Sequence, residues 1–324
     1  MALDVGYTNG VIAAREKYLL KEKITRLCEL SAEEAFRALL ESGFGGGAET
    51  ATSVYEYEKL IAAEEEKIDA FIREYAPSEA EKAYLLSARD FHNAKALVKA
   101  KFLGTDIERM LAPEGMVSIA LISACLESGN YAELEAVNSH LAGACTRSTQ
   151  ILAEDPSGFK VGEIFEQALY EYLFSVAKSK RVLKALLTAK ADMTNILTAI
   201  RCADAESAAT HYLPIGSLKE EQLNALFDSE EKAEETFKKT PYVDFVQLCL
   251  QAKAKGLPAT QAERLRDGYD AAYFSQRKYE LEKNEPFLYY VYRRRLENAN
   301  VRIVFVCLLA GLSEGDVKKR LRTV

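Results

Sequence analysis

The sequence has little from which a metal site could be built. Its 324 residues include three histidines and six cysteines, and no histidine has a second histidine or cysteine at the close spacing that places two ligands on one helical face. His140 and Cys145 are the nearest such pair. The cysteines are scattered, lack a Cys-x-x-Cys pair and mostly stand beside aliphatic residues. This pattern predicts no metal and no cofactor, and it favours cysteines that fill a core in a reducing compartment.

Three further absences concern charge and hydrophobicity. Lysine and arginine total 42 against 49 aspartates and glutamates, so the net charge is −7 and the basic excess of a nucleic-acid-binding protein is missing. The longest nearly apolar run, residues 303–312, falls short of the roughly 18 to 20 residues of a membrane helix. The first residues also lack the basic and apolar segments of a secretion signal. We expect no nucleic-acid partner, no direct membrane insertion and no export.

Helical patterns are abundant. Apolar residues recur at steps of three and four, helix-forming residues dominate, and the alternation typical of strands is nearly absent. Ser31 and Ser78 are each followed three residues later by a glutamate, which is the pattern of a capping box at a helix start. The sequence therefore predicts an all-α protein.

Several conspicuous segments have ordinary structural explanations. The glycine cluster at residues 43–47 lacks the Gly-Lys-Ser/Thr ending of a phosphate loop and follows no predicted strand, so it predicts a turn between helices. The acidic stretches at 64–66 and 229–235 contain or adjoin lysines, which predicts solvated helix faces. For the basic clusters at 293–295 and 318–322 we favour ion pairs with nearby acids over contacts with an acidic partner.

Three segments of the chain resemble one another and align without gaps when set on Asn93, Asn195 and Asn300. These segments are residues 85–100, 187–202 and 292–307. The asparagines lie 102 and 105 positions apart, which is the size of a small domain rather than the repeat of a solenoid. We predict three tandem helical domains of similar structure, with boundaries at residues 1–105, 106–206 and 207–324.

An acidic residue precedes each of these asparagines by three positions: Asp90, Asp192 and Glu297. Residues three apart share a helix face, so each pair can hydrogen-bond internally or cap a neighbouring helix end. A buried asparagine without partners would cost about 1 to 3 kcal/mol, so nearby charged groups are expected to satisfy it. The pairs are interpreted as a structural polar latch, repeated because the domain is repeated.

Basic residues recur less strictly around the asparagines. Lys99 and Arg201 follow their asparagines by six positions, and Lys95 and Arg302 follow theirs by two. A functional alternative to the structural latch is that three related helices surround a pseudo-threefold axis and present this polar set to a partner.

A catalytic function needs converging groups with different tasks, such as a nucleophile beside a base. The sequence offers no such constellation, so we predict that the protein is not an enzyme and has no catalytic residues. Two alternatives remain open: an enzyme with an all-helical active site, and a generic helical scaffold that binds other proteins.

Residues 90–104 resemble the Asp-x-x-Asn-x-x-x-x-x-Arg/Lys-x-x-x-x-Gly signature of the C subunit of V/A-type ATPases, the homologue of the d subunit of the eukaryotic enzymes. Residues 286–303 are similar to the family's C-terminal segment, in which an aromatic, charged helix runs into Glu-x-x-Asn-x-Arg. The first helix retains the family's Tyr-x-Asn start, but Val11 and Ala13 stand where basic residues are usual, leaving Arg15. The resemblance covers essentially the whole chain.

The resemblance implies a funnel of three helical domains on the cytoplasmic face of a membrane rotor ring. Its central socket would receive the foot of a rotating shaft made of D- and F-type subunits. Such a coupling subunit performs no chemistry and transmits torque, so that ATP hydrolysis or synthesis is coupled to proton or sodium transport. The three asparagines, together with Lys99, Arg201 and Arg302, would line or brace the socket.

Overall fold

The computed structural model describes residues 4–20, 22–104, 107, 110–154, 159–280 and 283–322. Of the residues in these ranges 76% are helical, and no strand occurs among them. The prediction of an all-α protein is therefore confirmed.

The described ranges contain α-helices of very different length. They are α1 (Val5–Arg15), α2 (Lys23–Leu27), α3 (Ala32–Glu41), α4 (Tyr57–Tyr75), α5 (Glu79–Leu103), α6 (Ile119–Ser128), α7 (Ala132–Val137), α8 (Ser139–Glu154), α9 (Phe159–Val176), α10 (Arg181–Arg201), α11 (Ala205–Ala209), α12 (Glu220–Asn224), α13 (Glu230–Phe237), α14 (Val243–Ala254), α15 (Thr260–Ser275), α16 (Glu285–Leu309) and α17 (Glu314–Arg320). Within the part of the chain that is described, none of them is long and apolar enough to span a membrane.

Local sequence signals set several helix starts. The Ser31 hydroxyl accepts the Glu34 amide at 3.3 Å, and the Ser31 amide donates to the Glu34 carboxylate at 3.1 Å. This is the predicted capping box, and it satisfies donors that the first turn of α3 leaves without helical partners. Helix α5 begins directly after Ser78, at the second predicted start.

The chain divides into two compact units. One, the terminal unit, joins Met1–Ser78 to Asp270–Val324, and the other, the central unit, is Glu79–Tyr269. In the terminal unit, α16 packs against helices from the beginning of the chain, α1 to α4, and against α17. The two ends of the sequence therefore build one body together.

Each of the helices α5, α10 and α16, called the motif helices below, contributes to a hydrophobic cluster of its own. The cluster of α5 continues through α6 to α9, and that of α10 continues through α12 to α15. The cluster of α16 contains residues of α2 to α4 and of α17. The cluster of α5 includes residues after 105, and the cluster of α10 includes residues after 206. Both therefore cross a predicted domain boundary. The division into three repeat domains stays a prediction.

The glycine cluster connects α3 to α4, as predicted. Gly45 has a φ of 61°, and a Cβ atom there would lie 2.4 Å from the Leu60 carbonyl oxygen. Only glycine allows this approach at low cost, because other residues rarely adopt positive φ and would also clash with α4. The chain can therefore turn directly against the side of α4.

The acidic stretch at residues 64–66 differs from the prediction of a solvated face. Glu64 is buried, and its Oε1 atom accepts the Gly45 amide at 2.8 Å and the Lys67 ammonium at 2.9 Å. Its Oε2 atom pairs with the guanidinium of Arg294. Tertiary packing thus converted one acid of a charged run into an interior brace, which helical spacing alone does not reveal.

Candidate functional site

The candidate site is the set of acid–asparagine pairs on the three motif helices. Spacing by three residues places each acid on the same helix face as its asparagine. All six side chains are buried, with exposed fractions between 0% and 6%: Asp90, Asn93, Asp192, Asn195, Glu297 and Asn300. The predicted pairs therefore lie inside the protein. We call each pair, with the segment it binds, a latch.

Each asparagine holds the backbone of one residue at two points. The Asn93 amide donates to the Ala112 carbonyl at 3.0 Å and its oxygen accepts the Ala112 amide at 2.8 Å. Asn195 makes the same two bonds with Leu213, at 3.0 and 2.7 Å. Asn300 makes them with Arg322, at 2.9 and 2.8 Å. In each latch the side-chain amide fixes an otherwise irregular segment to a helix.

The aspartates bind the same two segments, at residues that follow those bound by the asparagines. Asp90 accepts the amides of Met116 and Val117 at 2.9 and 3.1 Å. Asp192 accepts the amides of Ser217 and Leu218 at 2.7 and 3.0 Å. Hydrogen bonds to a charged acceptor are stronger than neutral ones, and here they offset part of the cost of burying the carboxylate. The first two copies are therefore close structural equivalents.

The third copy shares the asparagine bonds. Its acid, Glu297, is 5% exposed. The residues at the spacing used by Asp90 are 323 and 324, which lie outside the described residues. The equivalence of the third acid to the other two stays a prediction.

Two hydroxyl groups complete the second latch and were not predicted. The Ser217 hydroxyl donates to Asp192 at 2.6 Å, and the Tyr242 hydroxyl donates to it at 2.7 Å. Burial, together with the hydrogen bond and charge of Asp192, raises the pKa of Tyr242. Tyr242 therefore stays a neutral donor. It lies 50 residues from Asp192, so sequence spacing offered no signal for this contact.

A second overlooked feature is a shared Pro-x-Gly pattern in the latched segments. Pro113 and Gly115 follow Asn93 in the way that Pro214 and Gly216 follow Asn195, with a shift of one residue. A Cβ atom on Gly115 would lie 2.4 Å from the Asp90 carboxylate, and one on Gly216 would lie 2.6 Å from that of Asp192. Glycine is required there because the carboxylate occupies the space of a side chain. Extending the repeat alignment beyond the motif helices would have found this pattern.

Two of the basic residues assigned to the site have partners outside the latches. Arg201 forms an ion pair with Glu263, and Arg302 binds Glu58 through its Nε and Nη2 atoms at 2.9 Å each. The hydrogen bond and charge of Glu58 raise the pKa of Arg302. Lys99 is half-buried and forms no ion pair with another residue in the described part of the chain. In the described residues, the ion pairs of Arg201 and Arg302 thus go to acids outside the buried pairs.

A cavity of about 580 Å³ lies in the terminal unit beside the Glu64–Arg294 pair. Its lining includes titratable groups, so it is the place to look for an active site. Both oxygens of Glu64 are already occupied by donors from Gly45, Lys67 and Arg294. The carboxylate is therefore held in place as a structural brace.

The cysteines have structural surroundings. Cys202 is half-buried, and the other five thiols are buried and free. Burial raises the pKa of Cys145 and Cys249 to about 12, which keeps them protonated at neutral pH. Five cysteines are thus small core side chains, as predicted. Among the described residues, no group of three His, Cys, Asp or Glu side chains is arranged to hold a metal ion.

Comparisons with known proteins agree with the resemblance seen in the sequence. Residues 8–320 match the family model of the ATP synthase (C/AC39) subunit. Two curated relatives, each named as the C subunit of V-type ATP synthase and coming from two strains of Thermus thermophilus, are 25% identical over 209 residues. That match covers 62% of this chain and 64% of each relative, so it spans less than two thirds of their length. Because the family model covers nearly the whole chain, the chain belongs to the ATP synthase (C/AC39) subunit family.

Proposed function

We propose that this protein is a non-catalytic coupling subunit in the central stalk of a rotary V/A-type ATPase. It would join the rotating shaft of D- and F-type subunits to the membrane rotor ring, on the cytoplasmic face of the membrane. Rotation driven by ATP hydrolysis, or driving ATP synthesis, would thereby be coupled to proton or sodium transport. The observation that carries this proposal is the family match over residues 8–320.

The internal architecture supports a mechanical role. A coupling element has to resist twisting, and α5 and α16, at 25 residues each, are about 37 Å long. Irregular segments beside such helices would be compliant, since loops are the more mobile parts of a fold. The latches tie these segments to the motif helices through buried hydrogen bonds. We infer that they stiffen the protein rather than contact the shaft directly.

We retain the predicted arrangement of three related domains around a pseudo-threefold axis, with a central socket, as part of the proposal. The three repeated asparagine latches and the separate hydrophobic clusters of the motif helices support it. Because the three asparagines are buried, we infer that they brace the wall of the socket from inside the protein.

Reconstitution tests this function. Purified shaft subunits and a purified rotor ring from the same organism would be mixed with and without this protein, and co-sedimentation of shaft with ring would be measured. We expect the shaft to sediment with the ring only when the protein is present. Failure to bridge them would contradict the proposal.

A variant separates bracing from binding. Asn195→Leu should lower thermal stability while leaving shaft affinity per folded molecule nearly unchanged, because Asn195 is 3% exposed and cannot reach a partner. Unchanged melting with lost binding would instead assign the latch to the interface.

A further inference from the structure

The outward face of α5 differs from the equivalent faces of the other motif helices. His92, Lys95, Lys99 and Phe102 follow one another at steps of three and four, so they form one stripe along the helix. The flank of α5 next to this stripe packs into the core of the central unit through Phe91, Ala94 and Val98. A docking partner would therefore meet a firmly held helix.

Two lysines stand in the middle of this stripe. Lys95 and Lys99 are half-buried and lie one helical turn apart, and neither forms an ion pair with another residue that the structure describes. Like charges four residues apart destabilise a helix by a few tenths of a kcal/mol. Two acidic side chains at matching spacing would convert this repulsion into attraction.

The other copies neutralise their basic residues internally. Arg201, which corresponds to Lys99, pairs with Glu263, and Arg302, which corresponds to Lys95, binds Glu58. Among the described residues, the stripe on α5 thus differs from the other two copies in that its two lysines form no ion pair.

Large apolar side chains stand at both ends of the stripe. Phe102 is 37% exposed. At the other end, the carbonyl of Met110 lies 2.8 Å from the His92 ring, and the Met110 side chain is 55% exposed. His92 and Phe102 lie about 15 Å apart along the helix. The two lysines therefore lie between the apolar side chains of Met110 and Phe102, on a surface about three helical turns long.

We propose that this face of α5 binds an acidic amphipathic helix of a protein partner within the ATPase. The partner helix would place two carboxylates one turn apart opposite Lys95 and Lys99, with an apolar side chain beyond each of them. Charge complementarity would set register and on-rate, while Phe102 and Met110 supply the apolar contact. This inference rests on the proposed function for its partner, which is the shaft.

The test compares binding of purified shaft subunits to full-length variants by titration calorimetry. Reversing both charges, Lys95→Glu with Lys99→Glu, should weaken binding by about tenfold or more, because it places like charges opposite one another. The matched control is Lys238→Glu with Lys239→Glu, which reverses two exposed lysines elsewhere in the central unit and should leave affinity nearly unchanged. Thermal melting checks that each variant folds.

If the reversed variant folds poorly, Lys95→Gln with Lys99→Gln removes the charge at nearly constant size and should weaken binding by roughly three- to tenfold. The remaining affinity should depend less on salt than that of the wild type. A photo-cross-linking residue at position 102 in the assembled complex should capture a shaft segment with acidic residues spaced by three or four.

The outcomes separate the two proposals. Wild-type protein that binds neither shaft nor ring would overturn the proposed function and this inference with it. Wild-type binding that both α5 variants retain would overturn this inference alone. A cross-link to a basic segment, or to the ring, would also overturn it.

Discussion

The second and third latches use the same asparagine geometry in different surroundings. In α10, Asn195 holds Leu213, which is 7% exposed, and Asp192 accepts hydrogen bonds from four donors. In α16, Asn300 holds Arg322, which is exposed to solvent. The repeated motif thus makes the same two hydrogen bonds to a buried residue in one copy and to an exposed residue in the other.

The two helices differ again two residues before the asparagine. Met193 packs in the hydrophobic cluster of α10. Its counterpart in α16 is Asn298, which is 2% exposed and has no hydrogen-bond partner for either amide atom among the described residues. The third copy therefore contains a buried polar side chain at the position where the second copy has an apolar side chain of the hydrophobic core.

The largest expected effect breaks the asparagine bonds. Asn195→Leu should lower the free energy of unfolding by about 2 to 5 kcal/mol, because it strands a buried amide and carbonyl of Leu213. Asn300→Leu should cost about 1 kcal/mol, since water can reach the backbone of Arg322. Urea unfolding followed by circular dichroism measures both. Equal losses would show that burial of the latched segment does not decide the effect.

A smaller effect tests the space beside Asp192. Gly216→Ala should lower the free energy of unfolding by about 1 to 3 kcal/mol, because the new methyl group would overlap the carboxylate. Gly268→Ala is the matched control: its Cβ atom would meet nothing within 4 Å, and alanine in a helix should stabilise by about 0.5 to 1 kcal/mol. Equal changes in the two variants would argue against close packing at Gly216.

The smallest effect has the opposite sign. Asn298→Met, which copies Met193, should raise the free energy of unfolding by about 1 to 2 kcal/mol, because it removes an unsatisfied buried amide. The converse change, Met193→Asn, should be destabilising. A loss of stability in Asn298→Met would mean that the amide makes contacts that the comparison of α10 with α16 overlooks.

Periodicity and capping signals predicted much of the fold, including the all-α class and the start of α3. The repeat alignment also located the acid–asparagine pairs that prove to be buried. Sequence reasoning missed Tyr242 and the burial of Glu64, because both depend on contacts between segments distant along the chain. It also grouped Lys99 with Arg201, although Arg201 pairs with Glu263 and Lys99 forms no ion pair among the described residues.

The sequence by itself determined the helices and the positions of the repeated polar pairs, because helical spacing and local capping act over three or four residues. Tertiary structure decided what those pairs hold. Asn195 finds its partner 18 residues away and Asp192 finds one 50 residues away. Only packing also joined the beginning of the chain to α16, since the clusters that bury apolar surface take no account of sequence separation.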